Sequence, residues 1–281
     1  MTFTILGSGG CVCTPKPLCR CRVCTEARDK GYPWARCGCS LYCDDIKAVI
    51  DTPEDISISI NNAKITEINT ILYSHSDPDH TLGMRVIEQL RLNWLDYYDG
   101  IRPSRPLDVY AVPDVMRDLN LIRSKYGAFL DYYEKMGLIH RTPFKTPLSF
   151  GNYTITPVAV PKKKAVSVFV FTGDRAKVIY APCDCVPFPD DAILYGSDAL
   201  IIGNTFIGNK LKDGKEIGET HPLRRELHSI EDVLVLKNKF KIKNVIITHI
   251  EEDWGKSYDD YRALENVFGV KFAYDGMKIN V

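Results

Sequence analysis

Short apolar runs, each closed by polar residues, recur along the chain. "TFTILG", "KAVIDT", "INTILYS", "PLDVYAV", "NYTITPVAV", "AVSVFVF", "AKVIYAP", "DALIIGN" and "NVIITHI" are brief and rich in β-branched side chains, so they predict buried strands. Apolar positions at helical spacing predict a helix over Leu82–Asn93 and another over Pro113–Met136, the second with proline in its first turn. Further helices are predicted from Ser229 and near Asp259, after a polar loop that runs to about Leu227, with final strands in "KFAYDG" and "MKINV". Strands alternating with helices place the chain in the α/β class. No internal repeat, low-complexity tract or linker interrupts it, which predicts one domain over residues 1–281.

Composition narrows the class of partner. Thirty-six basic and 36 acidic residues cancel, which argues against a general nucleic-acid or anionic-membrane binder. The start, "MTFTILGSGG", has no basic segment followed by a cleavable apolar one, and no run of apolar residues is long enough to cross a bilayer, so a cytoplasmic location is expected. Ten cysteines are many for this length; eight lie between Cys11 and Cys43, and Cys183 and Cys185 flank one aspartate. Such clustering in a cytosolic chain favours metal ligands over disulfides, and predicts a cysteine-rich metal-binding loop over about residues 11–43.

The chemistry concentrates at strand ends. "SHSDPDHTLG" carries His75, Asp77, Asp79 and His80 on a loop between a predicted strand and a predicted helix, where several ligands can converge on metal ions without long-range assembly. A polar loop whose histidines cap the next helix is the plainer alternative. Asp184 follows the strand of "VIYAP", and His249 follows that of "NVIIT". Either residue alone is weak evidence, whereas three strand ends that each deliver a histidine or an aspartate make a joint case.

In this order, the glycine turn, His-x-[His]-x-Asp-His, strand-end Asp, "THI" and "YDGM" resemble the metallo-β-lactamase superfamily. Within it, the chain is similar to the branch containing the cyclic-phosphate phosphodiesterase of the carbon–phosphorus lyase pathway, which shares the early Cys-x-Cys-x-x-Cys found here as Cys19, Cys21 and Cys24. The resemblance implies a four-layer αββα sandwich, two mixed sheets with helices outside. It implies that His75 and residue 77 hold a first metal, that Asp79, His80 and His249 hold a second, and that Asp184 bridges both and orients the attacking water. It also makes His228 a proton donor or phosphate contact; a helix-start residue beside Ser229 is the alternative. For the cysteine site it places the fourth zinc ligand at Glu252, with Cys11, Cys13, Cys37, Cys39 and Cys43 as competitors. "CGCSLYC" belongs to this zinc site, to a second one, or to neither as free thiols, and Cys183 and Cys185 are either ordinary buried cysteines or sulfur near the metal.

Two departures from the pattern stand out. Asp77 replaces a histidine, and the position of another histidine ligand falls at about Lys162, with no histidine anywhere between His140 and His221. A carboxylate in place of an imidazole hardens a site and favours Mn or Fe(II) over Zn. The paired changes of −1 and +1 predict an Asp77–Lys162 ion pair in the space of the first metal, leaving one metal in the second. Lys162 would then hold substrate phosphate as a point charge. The functional expectation is a metal-dependent hydrolase, a phosphodiesterase acting on a small, cyclic or linear phosphate ester. It would use one or two divalent ions (Zn, Mn or Fe) and a structural zinc, and could form a homodimer. The competing expectation is a non-hydrolytic, metal- or redox-responsive binding protein on the same scaffold.

Overall fold

A computed structural model describes residues 1–281. Two seven-stranded sheets carry the chain. The first runs in the order Lys278–Asn280, Thr2–Gly7, Ser40–Cys43, Ala48–Ile50, Thr70–Tyr73, Leu107–Ala111 and Ile139–Pro143. Its first four strands pair antiparallel, and pairing is parallel from Ala48–Ile50 onward. The second runs Lys271–Phe272, Asn244–Thr248, Ala199–Gly203, Lys177–Ala181, Ser167–Thr172, Tyr153–Ala159 and Leu148–Phe150, parallel over the first four and antiparallel over the rest.

The period of two along each strand builds the layers. Phe169 and Phe171 point into a core shared with Phe3, Ile5, Leu72, Ile201 and Ile246, between the sheets, whereas Val168 and Val170 face an outer core with Ile230, Val233 and Tyr261. Likewise Leu72 points inward, while Ile71 and Tyr73 meet Ile56, Ile87, Val115 and Leu130 on the other outer face. The fold is therefore the αββα sandwich of two mixed sheets with helices outside. No helix is long and apolar enough to cross a membrane.

Two predicted helices are corrected. Pro113–Met136 is two short helices, Pro113–Leu119 and Phe129–Lys135, separated by the hairpin Arg123–Ser124/Gly127–Ala128. Tyr126 N donates to Ser124 Oγ at 3.1 Å, a local side-chain turn that competes with the helical ladder. Leu82–Asn93 begins as a 3₁₀ turn over Leu82–Arg85 and is α-helical only over Val86–Arg91. Helical spacing registers which faces are apolar and does not detect such interruptions.

Candidate active site

The parallel strands of both sheets end at one place, and several leave it through the same backbone device. Asp51 (φ 63°), Asp184 (φ 55°), Asn204 (φ 54°) and His249 (φ 48°) sit at or just beyond strand ends in the left-handed region. That conformation is unusual for residues with a Cβ, and it turns the chain sharply so that side chains project over the sheet edge.

Asp51 is wholly buried, and its Oδ2 lies 2.9 Å from His80 Nδ1. Ser74 N and Oγ donate to the two oxygens of the same carboxylate at 2.8 and 2.6 Å. Ser74 Oγ then accepts from His75 Nδ1 at 2.8 Å. Both imidazoles thus spend Nδ1 on neighbours, and their Nε2 atoms are buried with no hydrogen-bond partner. Burial opposes charge on His80, but the Asp51 carboxylate more than offsets it and holds this imidazole well above its ordinary pKa. His75 goes the other way: burial, then the charges of His80 and Lys164, push it well below.

Asp79, His80 and His249 bring one ligand atom each to within 4.8 Å of one another. Asp79 Oδ2 is 3.2 Å from His249 Nε2 and 3.5 Å from His80 Nε2, and the rings of His80 and His249 stack at 5.3 Å. Buried, unpartnered imidazole nitrogens beside a carboxylate suit a divalent metal, so the donor set fits the ion that the sequence implies. Cys183 Sγ makes a further group with His75 and His80. Burial alone would raise the Cys183 thiol, but the imidazoles of His249 and His80 pull it down to about 7.

Asp184 is not among these converging atoms. Its carboxylate lies 3.2 Å from Lys164 Nζ and 3.4 Å from Lys162 Nζ. The ligand atom this strand end presents to the histidines is the preceding residue's sulfur, because the left-handed turn at 184 directs the aspartate toward the lysines. The predicted Asp77–Lys162 pair is also corrected: Asp77 pairs with Lys164, and Lys162 with Asp184. Lys162 and Lys164 both tuck inward while Lys163 faces solvent, so an alternating turn delivers two ammonium groups where one was expected. His228 Nε2 lies 3.2 Å from the Cys185 carbonyl, and burial depresses its pKa; it ties down the loop beside Asp184.

Two residues of the site went unnoticed in the sequence. Asp51 was signalled only by a polar residue closing "KAVIDT". Glu251 accepts from Cys11 N at 2.9 Å and stands 3.5 Å from His249 Nδ1. A Cβ on Gly10 would lie 2.1 Å from the Glu251 carboxyl carbon, so the glycine turn is what admits this carboxylate.

Away from the histidines, Cys19, Cys21, Cys24 and Glu252 place their ligand atoms within 4.8 Å of one another. Cys11, Cys13, Cys37, Cys39 and Cys43 belong to neither cluster; the last three are buried free thiols. The buried Arg36 and the half-buried Asp275 are joined separately through Ser8, whose Oγ is 2.7 Å from each.

Comparison with known proteins bears on the fold and the superfamily. No curated protein sequence matches the chain significantly. A diphosphatase of the PhnP family superposes with a TM-score of 0.70 at 21% identity, covering 99% of this chain and 96% of the other. Zn(2+)-bound PqqB from Methylobacterium extorquens gives 0.70 at 18%, covering 100% of both, and human tRNase Z, short form, gives 0.62 at 13%, covering 100% and 99%. At such identities the likeness shows the fold alone. The model of the beta-lactamase superfamily domain matches residues 49–250, which span most of the chain and every strand-end residue described above, and the protein belongs to that superfamily.

Proposed function

We propose that this protein is a metal-dependent phosphoesterase acting on a small phosphate ester, with one catalytic divalent ion and a lysine pair in place of a second. The ion would be held by Asp79, His80 and His249. When bound, a divalent ion supplies Lewis-acid polarisation and an acidified water. The observation that carries the reading is the pairing of Lys164 with both Asp77 and Asp184, beside the unpartnered Nε2 of His75, which lies 3.7 Å from Asp77 Oδ2. An ammonium there supplies the positive charge that a second ion would otherwise bring, so the carboxylates stay compensated.

The chain's own residues then divide the work. Lys162 and Lys164 hold phosphate oxygens as point charges. Asp184, between them, sets where those ammonium groups stand and accepts a proton from water. Asp51 orients the His80 ring and raises its basicity. Glu251 does the same from the far side of His249 at a longer distance. His228 holds the 183–185 loop through the Cys185 carbonyl. A structural zinc would take Cys19, Cys21, Cys24 and Glu252, the last supplying the oxygen that completes a tetrahedral set.

Hydrolysis of bis-p-nitrophenyl phosphate, dependent on added Zn, Mn, Fe or Co and abolished by His249→Ala, tests the activity. Metal analysis of the Cys19→Ser/Cys21→Ser/Cys24→Ser variant tests the stoichiometry: one ion per chain is expected, and two would sink the lysine-for-metal reading. A second reading, a redox-responsive metal-binding protein, is favoured by one observation, the Cys183 thiol grouped with His75 and His80. Inactivity with every metal, together with a cobalt–thiolate absorbance lost in Cys183→Ser, would select it.

A further inference from the structure

The cysteine cluster has an outer partner that none of its ligands accounts for. Lys212 Nζ lies 2.6 Å from Glu252 Oε1 and 3.3 Å from Cys19 Sγ. The other oxygen of the same carboxylate, Glu252 Oε2, is 3.5 Å from Cys21 Sγ. Glu252 is thus split between two tasks, one oxygen facing the thiols and one held by an ammonium. Both side chains are well shielded, at 2% exposure for Glu252 and 17% for Lys212. Three thiolates and one carboxylate carry four negative charges, which a divalent ion only half cancels; a shielded ammonium within reach of a sulfur and an oxygen lowers that excess.

The lysine is delivered by a built contact. It opens the tight turn Lys212–Gly214, which lies against the turn Glu252–Trp254. A Cβ on Gly255 would stand 3.0 Å from Lys212 Cα, and the residue sits in the left-handed region at φ 69°, so the close approach favours glycine there. The 211–215 turn is also one wall of a cavity of about 550 Å³ that reaches Cys11, Asn204 and Glu251, next to the catalytic histidine His249.

We infer that Lys212 is the positioning residue of the cysteine site. It fixes Glu252 so that Oε2 faces the thiols, donates to Cys19 Sγ, and so makes metal occupancy of this site set the position of the cavity wall beside the catalytic centre. The inference rests on the reading that Cys19, Cys21, Cys24 and Glu252 bind metal. Outer partners of metal ligands typically change metal affinity about 10- to 100-fold.

The test uses the full chain loaded with zinc or cobalt. Lys212→Met keeps the aliphatic stem and removes the charge and donors; Lys212→Arg keeps both. Zinc retention against a chelator should fall about 10- to 100-fold in Lys212→Met and stay near wild type in Lys212→Arg. The His80–His249 ion should be retained equally in all three proteins. Hydrogen exchange over residues 211–215 should quicken in Lys212→Met and, to the same extent, in wild type stripped of zinc. Equal zinc retention in Lys212→Met and wild type, or equal loss in both variants, overturns the inference while leaving the cysteine site standing. Wild type with no cobalt–thiolate absorbance removable by Cys19→Ser overturns the site itself, and the inference with it.

Discussion

Asp51 and His80 share a hydrogen bond of 2.9 Å with both side chains wholly buried. A carboxylate on Nδ1 leaves Nε2 as the ring's outward lone pair and strengthens it as a ligand. Asp51→Ala should therefore weaken retention of the catalytic metal about 10- to 100-fold while the cysteine site keeps its zinc. Chelator competition reads this directly; an unchanged catalytic-site half-point would remove Asp51 from the account.

Lys164 contacts Asp77 and Asp184, and its loss leaves the Asp77 carboxylate without its cation while Asp184 keeps Lys162. Lys164→Met should raise the KM for bis-p-nitrophenyl phosphate about tenfold or more, the scale of a charge-assisted contact. Melting temperature should move little, because these side chains are partly exposed and surface pairs contribute modestly. A falling kcat with constant KM would instead place Lys164 in the chemical step.

Gly10→Ala addresses the Glu251 carboxylate without touching a ligand. The new Cβ would overlap Glu251, whose flexible side chain can swing away from Cys11 N and His249 Nδ1. Thermal stability should fall by no more than a few degrees, while turnover drops clearly. A large stability loss with normal turnover per folded molecule would contradict a role for Glu251 at the site.

Asp275 gives a pH signature remote from any metal. Burial pushes its carboxyl up to about 6, against the hydrogen bonds from Cys37 N and Ser8 and the charge of Arg36, which hold it down. A folded pKa above the ordinary 3.8 means that this group favours the folded state below 3.8 and that the contribution is lost as pH rises through about 6. The difference corresponds to about 3 kcal/mol. Relative to Asp275→Asn, wild type should lose about that much stability between acid and neutral pH, seen in denaturant melts. A stability difference that is flat across that range would refute it.

The buried strands were legible because a short β-branched apolar run is a local signal: Val168, Phe169, Val170 and Phe171 mark a strand by themselves, whereas the four layers followed from the resemblance to the superfamily. The motif loop was legible for the same reason, since Asp79 and His80 are neighbours in sequence as well as in space. What escaped depends on parity at a bend. Whether Cys183 or Asp184 faces the histidines turns on one left-handed residue, and whether Lys162 or Lys164 meets Asp77 turns on side-chain reach within an extended turn. Asp51 and Glu251 act through partners far away in the chain, His80 and Cys11, which no spacing rule connects.

The left-handed strand ends carry one last consequence. Asp, Asn and His are the side-chain-bearing residues that tolerate this conformation best, and the four positions hold Asp51, Asp184, Asn204 and His249. Those are also the residue types that bind metals and protons. The backbone therefore acts as a filter on which substitutions can be sampled at the site. A chain drifting under this constraint exchanges one polar ligand type for another far more readily than it fills the site with aliphatic side chains. The rim of this sandwich can change its chemistry without losing the capacity for chemistry.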